Sequence, residues 1–83
     1  MTLLIVSPQH KEEYAIEWLE AYTPAGSLTI QPGHIPLIVT LLANSELSFV
    51  TKLGEKKSIY LTRPGFLEVD RTSATALINQ EAQ

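Results

Sequence analysis

The sequence contains no cysteine. That excludes disulfides, thiolate zinc sites and a cysteine nucleophile together, and it suits a reducing compartment. Long apolar runs are missing too. The apolar start Met1 to Val6 is broken by Ser7-Pro8-Gln9-His10-Lys11, too soon for the core of a signal peptide or for a membrane helix of about 20 residues. A soluble, cytoplasmic chain is therefore expected. Charge is scarce at 18% of residues, and the balance is −3. The six basic residues are scattered, with Lys56-Lys57 the one adjacent pair, whereas a phosphate backbone is gripped by clustered cations. Nucleic acid is not an expected partner, and the lysine pair beside Gly54 reads as a solvated hairpin tip. There are two histidines, His10 and His34, in different loops, and neither has the further ligands a zinc site needs. The four glycines are dispersed, so no phosphate-cradling loop exists, and no Gly-x-Ser-x-Gly surrounds any serine. Catalysis, a cofactor and a metal are all unexpected.

What is present is a globular composition. Hydrophobic residues make up 45% of the 83, enough to order a chain. The length suits one domain spanning residues 1–83, burying only roughly 60–65% of the unfolded surface. Short apolar segments alternate with turn signals, the pattern of an all-β domain. Thr2 to Ser7 reads as a strand ended by Pro8. Leu28 to Ile30 lies between Pro24-Ala25-Gly26 and Pro32-Gly33, and Ile35 to Leu42 closes at Asn44-Ser45. Leu47, Phe49, Thr51 and Leu53 alternate with Ser48, Val50 and Lys52, and a turn at Gly54 to Lys57 leads into Ser58 to Thr62. Phe66 to Asp70 and Ser73 to Asn79 complete a meander. Gln9 to Tyr22 is ambiguous. Tyr14, Trp18 and Tyr22 recur every four residues, as on a helix face, yet Tyr14, Ile16 and Trp18 alternate as in a strand. On residues alone the segment leans to helix. The acidic run Glu12, Glu13, Glu17 and Glu20 reads as a solvated face.

The stretch Gly26-Ser27-Leu28-Thr29-Ile30-Gln31-Pro32-Gly33-His34-Ile35-Pro36-Leu37 resembles the signature loop of the epsilon subunit of F-type ATP synthases, in which a glycine and a short apolar strand precede Pro-Gly-His-small-Pro-aliphatic. Ile16, Leu19 and Ala21 fall where that family carries apolar strand residues. Ile59-Tyr60-Leu61, Gly65-Phe66-Leu67-Glu68-Val69 and Ala76 to Ala82 are similar to its last strands. The matches are collinear over nearly the whole chain. They imply a two-sheet antiparallel β-sandwich of roughly eight to ten short strands, with Gln9 to Tyr22 extended after all. The expected core is Leu4, Val6, Ile16, Leu19, Ile30, Ile38, Leu47, Phe49, Leu61, Leu67 and Leu77.

The resemblance further implies a non-catalytic central-stalk subunit, peripheral to the inner membrane through its complex, that binds the gamma subunit along one side and turns the loop Gly26 to Pro36 toward the c-ring during proton- or sodium-driven ATP synthesis. Contact residues implied are Gly26, Ser27, Gln31, Pro32, Gly33 and His34. Physics supports a stiff loop, because Pro32 sets φ, Gly33 accepts positive φ, and Pro36 keeps Ile35 extended. This sequence departs from the family pattern at Thr29, Gln31, Asn44-Ser45 and Arg63-Pro64-Gly65. The altered loop motivates an alternative, a free-standing β-sandwich interaction module outside any ATP synthase. A sandwich that binds a small molecule would require a sizeable apolar pocket. Most members continue into a C-terminal helical hairpin that inhibits ATP hydrolysis and in some binds ATP. The residues here end at Gln83, about where that hairpin would begin, as in a short form or at a domain edge, so those two roles are not expected of them. A weak homodimer is expected of the isolated domain.

Overall fold

The computed structural model describes residues 1–79, and the expected last segment beyond Asn79 lies outside them. The described chain is all-β. Its strands are β1 (Thr2–Ser7), β2 (His10–Thr23), β3 (Gly26–Ile30), β4 (Leu37–Leu41), β5 (Ser45–Thr51), β6 (Lys56–Leu61), β7 (Gly65–Val69) and β8 (Ser73–Leu77). They form one curled sheet in the order β4-β7-β8-β1-β2-β5-β6, with β3 paired to β2. The curl makes two facing layers: β4-β7-β8-β1 with the first half of β2, and β3, β5 and β6 with its second half. Pairing is antiparallel except between β1 and β8, which run parallel. Parallel neighbours need a long connection, and here the other six strands supply it.

The ambiguous segment is the 14-residue β2, and its mixed periodicity has a physical origin. Ile16 pairs with Thr51 but Trp18 pairs with Val50, so the register shifts at Glu17. A bulge adds one residue and resets which side chains face inward. Tyr14 and Ile16 face the core before it, and Leu19, Ala21 and Thr23 after it. Neither period 2 nor period 3.6 fits such a segment throughout. The shift also bends β2 from one layer into the other.

Inward residues interlock large against small. Leu67 pairs with Ala76 and Ala76 with Ile5, and the next row runs Val69, Ala74, Leu3. From the other layer come Leu19, Ile30, Leu47, Phe49 and Leu61, all buried. The Tyr14 ring lies 4.9 Å from that of Phe49, joining the layers. Tyr14 Oη donates to Glu12 Oε2 at 2.5 Å. That bond, then burial and the Glu12 charge, hold the phenol above its ordinary pKa. Buried Thr23 is satisfied locally, its hydroxyl donating to the Gly26 carbonyl and accepting from the Ala25 amide.

Four expected core residues lie elsewhere. Ile38 is 69% and Leu77 46% exposed, and Leu4 and Val6 are half-buried, while Leu3, Ile5, Leu41, Val69, Ala74, Ala76 and Ile78 fill the interior instead. Leu3-Leu4-Ile5-Val6 and Leu37-Ile38-Val39 are apolar at consecutive positions. Alternation then carries no information, and a one-residue slip exchanges the faces. Leu53 also leaves the inward row. Strand β5 ends at Thr51 and the chain turns, so Lys56 and Lys57 open β6 rather than form the tip.

Candidate interaction surface

The loop between β3 and β4 is built around a tight turn. The His34 amide donates to the Gln31 carbonyl at 3.1 Å, and Gly33 at the third position has φ +85°. A side chain is strained there, and proline before it presets the turn. The His34 ring is half-buried, and its Nδ1–H donates to the Ile35 carbonyl at 2.7 Å. The donor must be Nδ1, since a carbonyl only accepts, so Nε2 is the nitrogen left for a partner. The Gly33 amide donates to the Arg71 carbonyl at 3.0 Å, tying the loop to the β7–β8 turn. An open hollow of about 420 Å³ lies among Thr29, Gln31, Pro32, Gly33 and His34.

These contacts divide the six residues singled out in the sequence. Gln31, Pro32, Gly33 and His34 share the turn. Gly26 and Ser27 begin β3 beside Thr23 and Tyr22, roughly 17 Å away at the strand's other end. All six except His34 are exposed. Residues that sequence reasoning did not single out join the turn. Ile35 is 67% exposed, and the Arg71 carbonyl accepts from the Gly33 amide. The Arg71 contact joins distant parts of the chain, and no local motif announces it.

A second surface was hidden among the expected core residues. On the outer side of the β4-β7-β8-β1 layer, Phe66 pairs with Leu77 and Leu77 with Val6. Ile38 and Leu4 stand in the adjacent row. Phe66 is 55% exposed. The outer side of the other layer is mixed, with Thr29, Glu20, Ser48 and Ser58 in one row and Trp18, Val50, Tyr22 and Tyr60 beside it. An open cleft beside Ile38 is lined by Pro36, Leu37, Glu68, Val69 and Asp70. Among the described residues, no group of three or more His, Asp or Glu stands where it could hold a metal ion. The arrangement offers one apolar face and one stiff polar loop, both suited to contact with macromolecules.

Comparison with known proteins decides the family. Residues 1–81 match the model of the ATP synthase, Delta/Epsilon chain, beta-sandwich domain. The chain belongs to that family. It is 38% identical over 71 residues to proteins named ATP synthase epsilon chain from two strains of Clostridium kluyveri, an overlap covering 83% of this chain and 52% of each relative. The chain thus spans about half the length of the curated relatives it matches. Its fold is shared with a chain in the cryo-EM structure of the Euglena gracilis mitochondrial ATP synthase, OSCP/F1/c-ring, at TM-score 0.78 and 17% identity, covering 92% of this chain and 48% of that one. A chain in the Tetrahymena thermophila mitochondrial ATP synthase, central stalk and c-ring, is similar at TM-score 0.73 and 13% identity, covering 96% and 63%. At such identities the two structures establish the fold.

Proposed function

We propose that this chain works as the non-catalytic β-sandwich of an epsilon-type central-stalk subunit, gripping the gamma subunit with the outer face of the β4-β7-β8-β1 layer and turning the Pro32-Gly33 loop toward the c-ring. The carrying observation is the group of exposed apolar side chains Ile38, Phe66 and Leu77 on that outer face. Contiguous exposed apolar side chains mark interaction surfaces. The family match and the central-stalk structures that share the fold support the identity of the partners. Mechanically, the role needs stiffness rather than chemistry. A body whose loop is tied across to Arg71 transmits force with little deformation, and a pre-ordered loop loses little entropy on docking. No helix among the described residues is long and apolar enough to cross a membrane. Contact with the inner membrane, from the cytoplasmic side, then runs through the ring. Residues 1–83 act as one such domain.

The test is co-purification with the gamma subunit of the same organism, scored as a stoichiometric complex on gel filtration. Phe66→Lys is expected to weaken that complex by about thirtyfold, the scale of a buried aromatic hot spot, without lowering the melting temperature. His34→Ala is expected to leave gamma binding intact and to weaken docking on the ring, again without unfolding the domain. A large loss of melting temperature in His34→Ala would assign the ring a structural role instead. A folded chain that forms no complex with gamma would transfer the assignment to a free-standing interaction module.

A further inference from the structure

The outer side of the β4-β7-β8-β1 layer is a ladder of cross-strand rows. One runs Thr40, Phe66, Leu77, Val6 and Lys11, and the next Ile38, Glu68, Thr75, Leu4 and Glu13. Glu68 therefore stands inside the exposed apolar group, with Ile38 beside it in its row and Phe66 two residues before it on β7. Asp70, two residues after Glu68, lines with it an open cleft of about 460 Å³ whose walls include Pro36, Leu37 and Ile38.

Both carboxylates are exposed, and among the described residues neither is in an ion pair. Arg71 meets Asp70 through its backbone amide, which donates to Asp70 Oδ1 at 2.8 Å. In water this arrangement costs little, because solvent and salt screen the two like charges. Once a partner covers Phe66 and Ile38, water leaves Glu68 as well. An uncompensated carboxylate against apolar walls is then strongly unfavourable. Whatever covers this face must therefore bring a cation to the cleft. Glu13, Glu68 and Asp70 outnumber Lys11, the one cation in the two rows, so the face is negative. A second copy of the chain or an anionic lipid would meet repulsion there.

We propose that the cleft beside Ile38 is a socket for an arginine or lysine side chain of the protein that docks on this face. The side chain lays its apolar stem along Pro36 and Ile38 and sets its charged head between Glu68 and Asp70. The occupant's chemistry follows from two carboxylates set into an apolar surface, and its assignment to gamma rests on the function proposed above. The socket selects the partner as well as holding it. A surface with a matching apolar ridge but no cation at this point would leave Glu68 buried and unpaired.

The experiment measures binding of the chain to the gamma subunit of the same organism at low and at high salt. Glu68→Gln is expected to lower affinity about tenfold at low salt, less than for a fully buried pair because the cleft is open. Adding Asp70→Asn, which keeps the oxygen that accepts from the Arg71 amide, lowers it further, with the melting temperature unchanged. Wild-type affinity falls as salt rises, and the double variant loses most of that dependence. Glu55→Gln, which removes the same charge from the β5–β6 hairpin, should bind as the wild type does. Affinity lowered by Phe66→Lys but unchanged or raised in the double variant would overturn the socket and leave the gamma-gripping face standing. Equal losses in Glu55→Gln and Glu68→Gln would overturn it by making the charge effect diffuse. Binding indifferent to Phe66→Lys as well would sink both readings. A dimer of the chain that Glu68→Gln weakens would overturn the inference by giving the cleft to a second copy.

Discussion

Phe49→Ala is expected to be the most damaging single truncation in this chain. Phe49 is 1% exposed. It pairs with Leu19 on one side and Lys57 on the other, and its ring meets Tyr14 of the facing layer at 4.9 Å. Removing the ring empties a space bordered by strands of both layers, which a hydrogen-bonded sheet cannot collapse to refill. Truncations of this kind cost about 3–5 kcal/mol. A domain of this length has roughly 4–12 kcal/mol in total, so the variant loses a large part of its stability. Equilibrium urea unfolding at room temperature should show the midpoint falling by roughly 3 M, or no folded baseline, since the denaturant slope for so small a domain is about 1 kcal/mol per molar. Phe49→Leu keeps most of the volume and should cost less than about 1.5 kcal/mol. Equal losses from the two variants would show that ring packing between the layers is not what holds them.

Gly65→Ala is the second large effect, and its cause is a collision with backbone. A Cβ built on Gly65 would lie 2.6 Å from the Leu77 carbonyl oxygen. That oxygen belongs to β8 at its pairing with β7, so it cannot swing aside as a side chain would. Relief requires β7 and β8 to separate where Phe66 meets Leu77, which pulls on the neighbouring bond from the Ile78 amide to the Val6 carbonyl of β1 at 2.9 Å. The expected loss is about 2–3 kcal/mol, read in the same urea titration, with faster amide exchange at Ile78. Gly33→Ala provides the contrast. Nothing stands within 4 Å of its added Cβ, so it bears only the left-handed backbone penalty of about 1–2 kcal/mol. If Gly33→Ala proved the worse of the two, the close approach of β7 to β8 would be wrong.

Most elements were legible because their signals are local. Pro8, Gly26, Pro32-Gly33 and Gly54 mark places where the chain turns, and strands lie between them. Alternation correctly assigned Leu47 and Phe49 to the interior, helped by polar Glu46 and Ser48. It failed at Leu4, Val6, Ile38 and Leu77, where both candidate faces are apolar. All four lie on the outer face of the β4-β7-β8-β1 layer, the face proposed to meet gamma. An interface and a core draw on the same residue types, so a continuous apolar run cannot separate them. The signature turn was legible in full, since proline and glycine dictate its geometry from within five residues. Gly26 and Ser27 were grouped with it by sequence proximity, but an extended strand carries them to its other end.

The sequence by itself determined the β class and the turn positions, both consequences of backbone preference and local spacing, and its resemblance to the epsilon family carried the family. Only the tertiary structure decided which apolar side chains are buried, that β1 and β8 run parallel, that β2 shifts register at Glu17, and that the β7–β8 turn is bonded to the loop through the Arg71 carbonyl. Those features depend on pairing between residues far apart in the chain, where register is selected by the total packing of two layers and no nearby residue encodes the choice.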